Sequence, residues 1–586
     1  MRLFINLTWF IKREWRAYLL GILSLLMVAL LGLLPPAMIG KFANLLVERQ
    51  PSSTAIFEIV GLIAVATIGQ YIFRFGWSYF IWGTSARLEK TVRTQLFGHY
   101  LQMDAPFFQR YRTGDLLAHA TNDISQLQRV AGNGVLQLFD AIMSGVLVMI
   151  AMGLVVNPWL TLFAVMPLFG ITGVAYGLGG RIHTAFTNAQ DAFSRLNNKA
   201  QESIMGIKAL RTLGQEAEDI ADFEQQVKHS IKVTRRAQQL DAYFDPAITV
   251  LVGISYVVTI IYGGWLVQTK ALSIGHLIAF VTYLSQLIWP FMSLGFFLNN
   301  LQRGNASYDR IQSILAVQPE TVEPMDGVTT APSGDVQVAI NDFHYPDDER
   351  ATLTDINLTV KAGETLGIVG AVGAGKTSLL RLLLREFDQY DGHISFGEHD
   401  IRAYTRDAYL PAIGYVPQDN FLFSTTVRDN IRFANPTLTD DQVRQAAQWA
   451  ALDADILQLP AGYDTQVGEQ GISLSGGQRQ RLAIARALII NPELLILDDA
   501  LSAVDAQTEQ DILQVLHEQR AGKTTIIATH RLSAVVDAAE IVVLDHGRIV
   551  ERGTHIALLA ANGWYKQMYT AQQIAAKLDE EVANNG

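Results

Sequence analysis

The chain has 586 residues, no cysteine and a formal net charge of -11, with 49% hydrophobic but only 17% charged residues. Soluble globular chains carry about 25% charged residues, so this one is short of charge. Its apolar content excludes low-complexity disorder, and the missing thiols exclude a disulfide scaffold or a Cys-ligated metal centre. The charge is also split. Residues 1–320 hold 25 Lys+Arg against 19 Asp+Glu, a net of +6, and residues 321–586 hold 20 against 37, a net of -17. The two halves therefore differ in chemistry.

In chain order, the first element is an arm, Phe4–Tyr18. It mixes Phe4, Leu7, Trp9, Phe10 and Trp15 with Lys12, Arg13 and Arg16. That composition suits a helix lying in the plane of lipid headgroups; a simple extension of the first span is the other reading. Next come runs without Asp, Glu, Lys or Arg. There are 24 such residues between Arg16 and Lys41, 40 between Asp140 and Arg181, 24 between Asp245 and Lys270, and 32 between Lys270 and Arg303. A membrane helix needs about 20 apolar residues. The run of 40 carries Asn157-Pro158 at its middle and reads as two spans joined by a tight turn. A weaker span starts at Ile59 and continues past Arg74 to about Trp82. Six helices are expected, over 17–47, 55–82, 133–156, 158–180, 246–268 and 276–300. The first run is too long for a signal peptide, and no small-residue cleavage site follows it.

Lys and Arg mark the cytoplasmic side. They gather in the arm, in 83–132 and in 181–240. The other connections hold only Lys41 with Arg49, nothing around Asn157, and Lys270. Both termini are expected in the cytoplasm, with long helical connections reaching into it.

Residues 318–334 carry Pro319, Pro324 and Pro332 without apolar periodicity, and Pro346 lies just beyond; they read as a linker. Strand and helix patterns then alternate, the sign of an α/β domain. Gly370-Ala371-Val372-Gly373-Ala374-Gly375-Lys376-Thr377 follows the strand Thr365–Val369 and opens a helix over Ser378–Leu384, the setting a phosphate-binding loop requires. Gly370, Gly373 and Gly375 let backbone N–H groups converge on phosphate oxygens. Lys376 can reach the β and γ phosphates, Thr377 can hold Mg²⁺, and Ser378 belongs to the same cradle. Four aliphatic residues, Leu494–Leu497, form a buried strand ending in Asp498 and Asp499. Asp498 is placed to orient a Mg²⁺ shell, and Asp499 stands where a base would meet the attacking water. A second anion site, Ser475, Gly476, Gly477 and Gln478 after Leu474, opens a helix over Arg479–Leu488. One chain rarely needs two γ-phosphate sites, so this loop is expected to serve ATP held by another subunit.

These residues carry a resemblance. The second half resembles the ATPase domain of ATP-binding-cassette (ABC) transporters. Gln418 in Val416-Pro417-Gln418 matches the Q-loop, Asp505 in Ser502-Ala503-Val504-Asp505 the D-loop, and His530 in Thr529-His530-Arg531 the switch histidine. Tyr345, ahead of the first strand pair, matches the aromatic that stacks on adenine. The first half resembles the six-helix exporter domain of the same family. Thr113-Gly114-Asp115-Leu116 with Thr121-Asn122-Asp123, and Gly206-Ile207-Lys208 running to Gln215-Glu216, match its cytoplasmic docking loops. The resemblance implies an all-α transmembrane domain over 1–317, a linker over 318–334, an α/β nucleotide-binding domain over 335–575 and a tail over 576–586. It implies ATP hydrolysis driving export, with Asp499, His530 and Gln418 catalytic. Thr377, Gln418 and Asp498 would hold Mg²⁺, Asp498 through its water shell.

One departure stands out. The family carries glutamate after the Walker aspartate, and this chain carries Asp499. In ABC dimers each ATP lies between one chain's phosphate loop and the other's signature loop. A chain with Asp499 and an intact signature resembles the degenerate-site half of bacterial heterodimeric multidrug exporters. It would hydrolyse poorly at its own site and complete the site of a partner that carries the glutamate. An aspartate that still works, in a homodimer, is the alternative. Hydrophobic or amphipathic compounds fit best as cargo; a lipid flippase or a peptide exporter of the same fold is the other reading. A peptidase-type exporter would need a Cys/His protease domain, for which there is no cysteine. Six spans exclude an ABC ATPase acting on nucleic acid, and the fused order opposes an importer. Polar residues inside spans are costly, which singles out Gln70, Arg74, Asp140, Asp245, Gln286, Asn299 and Asn300. Tyr71, Phe75, Tyr256, Tyr283, Trp289, Phe296 and Phe297 are candidates to line a cavity. The expected location is a bacterial inner membrane, in contact with its lipids.

Overall fold

A computed structural model describes residues 2–47, 52–321, 323–346, 348, 350–468, 472 and 474–585. Arg49 and the side chain of Asn299, both singled out above, lie outside what is described. The chain divides into two compact units. One is Met1–Leu101 with Thr113–Val317; the other is Gln102–Arg112 with Gln318–Gly586.

Among the described residues, six helices are long and apolar enough to cross a membrane, all but the last residue of the second within the first unit: Trp15–Val47, Ser53–Gln102, Thr113–Val156, Pro158–Met205, Glu216–Gln268 and Ile274–Leu315. Several run well past the expected ends, because the polar sequence beyond each apolar stretch is also helix-forming and rarely interrupted by Pro or Gly. Asn157 separates the third from the fourth. Its backbone is extended and its side chain accepts from Leu160 N at 3.0 Å, with Pro158 in the first turn, where a missing N–H costs nothing.

The first span is not one continuous helix. It stops at Gly32 and restarts at Leu34, because Pro35 and Pro36 have no N–H to give the carbonyls four residues back. In a membrane such carbonyls need other donors. Gln286 Nε2 donates to Gly32 O, the carbonyl that Pro36 leaves free, at 3.2 Å, and next to it the Tyr283 hydroxyl donates to Leu33 O at 2.7 Å. The same pair of helices meets closely at Gly40 and Gly275. A Cβ on Gly275 would lie 2.0 Å from Gly40 O, and Gly275 N donates to Asn44 Oδ1 at 2.8 Å. Small residues permit this approach of backbones.

The amino-terminal arm forms two short helices, Arg2–Asn6 and Thr8–Arg13. Leu3, Leu7 and Phe10 are buried within the first unit, while Ile5, Trp9 and Trp15 remain exposed. It is therefore a separate element and not a plain extension of the first span.

Residues 102–112 belong to the second unit although they connect two membrane helices. Within them a helix, Ala105–Arg110, buries Pro106 and Phe107. Asp104 Oδ2 accepts from Thr321 N at 2.8 Å, and Arg110 lies 3.4 Å from Glu320. The expected docking residues begin one segment later. Thr113–Ala118 already opens the third membrane helix, and Asp123 is bonded to Arg310 Nε at 3.1 Å and to His119 Nδ1 at 2.7 Å inside the first unit.

The second unit contains two sheets. Strands β1 (Val336–Phe343), β2 (Leu353–Val360), β4 (Asp391–Phe396) and β5 (His399–Asp400) form an antiparallel sheet in the order β2-β1-β4-β5. Strands β3 (Thr365–Gly370), β6 (Ile413–Val416), β7 (Leu494–Asp498), β8 (Thr524–Ala528), β9 (Glu540–Asp545) and β10 (Arg548–Gly553) form the second, ordered β10-β9-β3-β8-β7-β6. Its strands run parallel except for β10 against β9. β7 and β8 are buried along their whole length, which is why they read as unbroken apolar runs. The carboxy-terminal helix spans Trp564–Asn585 and so continues through the expected tail. Ala, Lys, Glu and Asp predominate beyond residue 575, and none of them breaks a helix.

Candidate nucleotide-binding site

β3 delivers the chain into the glycine-rich loop, and the loop feeds the helix Lys376–Leu383. Gly370 has φ +153, and a Cβ there would lie 2.1 Å from Leu544 O; Gly375 has φ +101. Both need glycine, the first for close approach and the second for its left-handed backbone. Lys376 is buried. Its Nζ donates to Gly370 O at 3.0 Å and Ala371 O at 3.1 Å and lies 3.2 Å from His530 Nε2. Burial pulls the Lys376 pKa down, against the carboxylates of Asp499 and Asp498. The His530 pKa is lowered as well, first by burial and then by the Lys376 charge. A neutral imidazole facing an ammonium can accept a proton or a hydrogen bond from a ligand placed between them.

At the end of β7, Asp498 is only 2% exposed. Thr377 Oγ1 donates to its Oδ1 at 3.3 Å, and its Oδ2 is buried without a hydrogen-bond partner. Burial raises the Asp498 pKa, and the neighbouring Asp499 charge adds to this. An orphaned buried carboxylate oxygen beside a hydroxyl is a hard-oxygen donor set that fits Mg²⁺. Asp499 follows in a left-handed conformation, φ +47. Its N–H donates to Ala528 O at 2.7 Å. Its Oδ1 receives only long contacts, 3.4 Å from Thr529 Oγ1 and 3.5 Å from His530 N. Gln418 is exposed just past β6, and no described hydrogen bond joins it to Thr377 or Asp498.

Tyr345 lies between β1 and β2, not ahead of them. The alternation of Val336, Val338 and Ile340 makes 336–343 the first strand. The ring stands edge-on to Phe343 and Phe387, and its hydroxyl donates to Ser378 Oγ at 2.9 Å. Ser378 is thereby tied to the aromatic at the start of the phosphate-loop helix.

The second anion-type site is built separately. Ser475 caps the 13-residue helix Gly476–Leu488 in a reciprocal capping box with Gln478, leaving Ser475 and Gly476 exposed at its positive end. Gln478 Nε2 also donates to Asp455 Oδ1 at 3.0 Å. A Cβ on Gly477 would lie 2.8 Å from Ala503 O, so this loop and the Ser502–Asp505 turn are in contact. Asp505 caps the helix Ala506–Gln519 by accepting from Thr508 N at 2.9 Å, which lowers its pKa.

Two residues that sequence reasoning missed hold these loops together. Gln480, buried, donates to Ser502 Oγ at 2.9 Å and accepts from Ala503 N at 2.8 Å. Arg531 donates to Ser502 O at 2.7 Å, Val504 O at 2.9 Å and Glu509 Oε2 at 2.8 Å. Their only sequence signal was adjacency to Gln478 and His530.

The membrane candidates separate. Gln286 is spent on Gly32 O, Asn300 donates to Gln137 Oε1 at 3.0 Å, and Asp140 accepts from Ser144 Oγ at 3.0 Å. Asp245 lies in the first turn of the helix Phe244–Gln268. Tyr283 and Phe297 are buried, whereas Tyr71, Phe75, Trp289 and Phe296 are exposed.

Family models agree with this division of labour. That for the ABC transporter transmembrane region matches residues 18–291, and that for the ABC transporter matches residues 353–502. The chain is 40% identical over 570 residues to the probable multidrug resistance ABC transporter ATP-binding/permease protein YheI of Bacillus subtilis (strain 168), covering 97% of each. It is 38% identical to the multidrug resistance-like ATP-binding protein MdlA of Escherichia coli (strain K12), covering 100% of this chain and 99% of that one. Among solved structures, a bacterial Atm1-family ABC exporter with ATP bound superposes with a TM-score of 0.78 at 25% identity, covering 96% of this chain and 98% of that chain. With six membrane-crossing helices in one unit and a phosphate loop on a parallel sheet in the other, the chain belongs to the ABC exporters, multi-pass membrane proteins whose ATP-binding domain hydrolyses ATP to drive transport.

Proposed function

We propose that the chain is one half of a heterodimeric exporter of hydrophobic or amphipathic compounds in a bacterial inner membrane, with both termini in the cytoplasm. The observation that carries this reading is the contrast between its two half-sites. The Asp499 carboxylate is short and has only long contacts, whereas the Ser475–Gln478 cap is intact, with Ser475 and Gly476 exposed. The names of the relatives above support multidrug cargo.

ATP would be held by Lys376 and the loop N–H groups, with adenine against Tyr345. Thr377, Asp498 and Gln418 would hold Mg²⁺, which supplies neutralising charge between the phosphates. Asp499 would orient the attacking water and His530 would meet the γ-phosphate. Ser475, Gly476, Gly477 and Gln478 would cover the γ-phosphate of ATP on the partner. Binding of two ATP molecules closes the ATPase domains because the closed state binds ATP better than the open one. Closure turns the membrane helices outward, and hydrolysis resets them. Ala105–Arg110 and Ile207–Leu213 would be the docking helices.

Purifying the chain alone and together with a second half-transporter carrying Glu at the corresponding position tests this. The expected result is slow ATP turnover alone, and fast turnover with dye export in the pair. Vigorous ATPase and export by the chain alone would overturn it. Vesicles offered labelled lipid and a cationic dye in parallel distinguish a flippase from a drug pump.

A further inference from the structure

The carboxy-terminal helix Trp564–Asn585 is hydrogen-bonded to the switch segment by the side chain of Gln572. Its Nε2 donates to His530 O at 2.7 Å, and its Oε1 accepts from Leu532 N at 3.0 Å. The amide therefore grips the backbone on both sides of Arg531. The helix that carries it is anchored at its start. Glu551 accepts from Trp564 N and from Tyr565 N. Tyr565 is fully buried, with its hydroxyl 2.8 Å from His555 Nδ1, and Tyr569 stacks on it one turn later. Residues 565, 569 and 572 follow helical spacing and share a face, so the anchored rings fix where Gln572 points.

What Gln572 grips is connected at both ends. On one side His530 Nε2 lies 3.2 Å from Lys376 Nζ. Between the two gripped groups, the Arg531 guanidinium is bonded to the carbonyls of Ser502 and Val504. Ser533 Oγ and Arg531 both donate to Glu509. A shift of the backbone at 530–532 therefore moves the imidazole at the phosphate loop and the Ser502–Asp505 turn together.

We infer that Gln572 is a positioning residue for ATP hydrolysis, through which the carboxy-terminal helix holds the His530 switch and the Ser502–Asp505 turn in working register. The inference takes the role of His530 from the reading above, and the experiment therefore includes a measurement independent of that role.

The full-length protein in phospholipid nanodiscs is compared with Gln572→Ala and Gln572→Glu. Turnover is read in the native and Asp499→Glu backgrounds, and hydrogen exchange is read over 530–535 and 565–569. For Gln572→Ala the expected outcome is a fall in kcat of about tenfold, the effect of ~1.4 kcal/mol in the barrier, with KM for ATP within twofold. Exchange at the Leu532 amide accelerates about tenfold while 565–569 stays protected. Gln572→Glu keeps the acceptor for Leu532 N and loses the donor to His530 O. It keeps the amide protected yet still lowers kcat. Unchanged exchange at Leu532 in Gln572→Ala overturns the inference, and kcat is compared in whichever background turns over faster. A fall in kcat with matching loss of protection over 565–569 also overturns it, because Gln572 would then only stabilise the helix. If the exchange changes as stated while kcat does not, the grip exists but does not position the chemistry, and the inference fails.

Discussion

Replacing Asp499 by glutamate should raise ATP turnover at this chain's own site. The carboxylate leaves β7 from a left-handed residue, φ +47, pinned by its N–H on Ala528 O at 2.7 Å. Its Oδ1 has only contacts of 3.4 and 3.5 Å to Thr529 and His530 N, so nothing strong prevents a longer side chain from turning toward the phosphate loop. One methylene adds about 1.5 Å of reach. A displacement of about 1 Å at a reacting group can cost ~10²-fold, so correcting it should restore about 10–100-fold in kcat. Glutamate is less at ease than aspartate in a left-handed conformation. A cost of about 1 kcal/mol would lower the melting midpoint by roughly 2–4 °C. The assay is phosphate release by the full chain in nanodiscs, with Lys376→Ala as the blank, alongside a thermal scan. Turnover within twofold of the parent, in a variant that still folds, would refute the argument that the short carboxylate limits hydrolysis. The case for a hydrolysing partner would go with it.

Burial and Lys376 lower the His530 pKa, so the unfolded chain binds this proton more readily just below the ordinary value of 6.5. The contribution of His530 to stability is therefore full above pH 6.5 and declines as pH falls below it. In kcat/KM the acid limb due to His530 should lie below pH 6.5 and vanish in His530→Gln; a midpoint at or above 6.5 contradicts the burial argument. Gly275→Ala would place a methyl 2.0 Å from Gly40 O and force two membrane helices apart. Thermal unfolding in detergent should show a loss of about 3 kcal/mol, and an unchanged midpoint would mean that the helices separate freely. Gln286→Met should cost about 1–2 kcal/mol by leaving Gly32 O unpaired and should leave the ratio of cationic to neutral dye efflux unchanged. An altered ratio at parental stability would place Gln286 on the transport path.

The parts of the site that read clearly in sequence were local ones. A glycine loop between a strand and a helix, a carboxylate ending an aliphatic run, and Ser-Gly-Gly-Gln at a helix start each carry their physics within a few residues. Gln480, Arg531 and Gln572 are not legible in sequence, because a glutamine on a helix face or an arginine in a loop looks solvated until its distant partners are known. Gln572 lies 42 residues from His530. Tyr345 is legible as an aromatic candidate but not its place between β1 and β2, because the strand 336–343 before it shows only in the alternation of its apolar residues.

Charge-free length and the positions of Lys and Arg point from sequence alone to membrane spans in the first half, and the acidic second half carries no run of that kind. They could not show that the first span is interrupted at Leu33, ahead of Pro35-Pro36, or that Gln286 repairs the break from 254 residues away. That repair is a tertiary event: Gly32 O, left free by Pro36, is satisfied only when another helix brings the Gln286 amide within 3.2 Å. In the same way the sequence named Asp498 and Asp499 as a pair, and only the folded chain separated them. One is sealed in the sheet with an orphaned oxygen, the other is turned out on a left-handed residue with no strong partner.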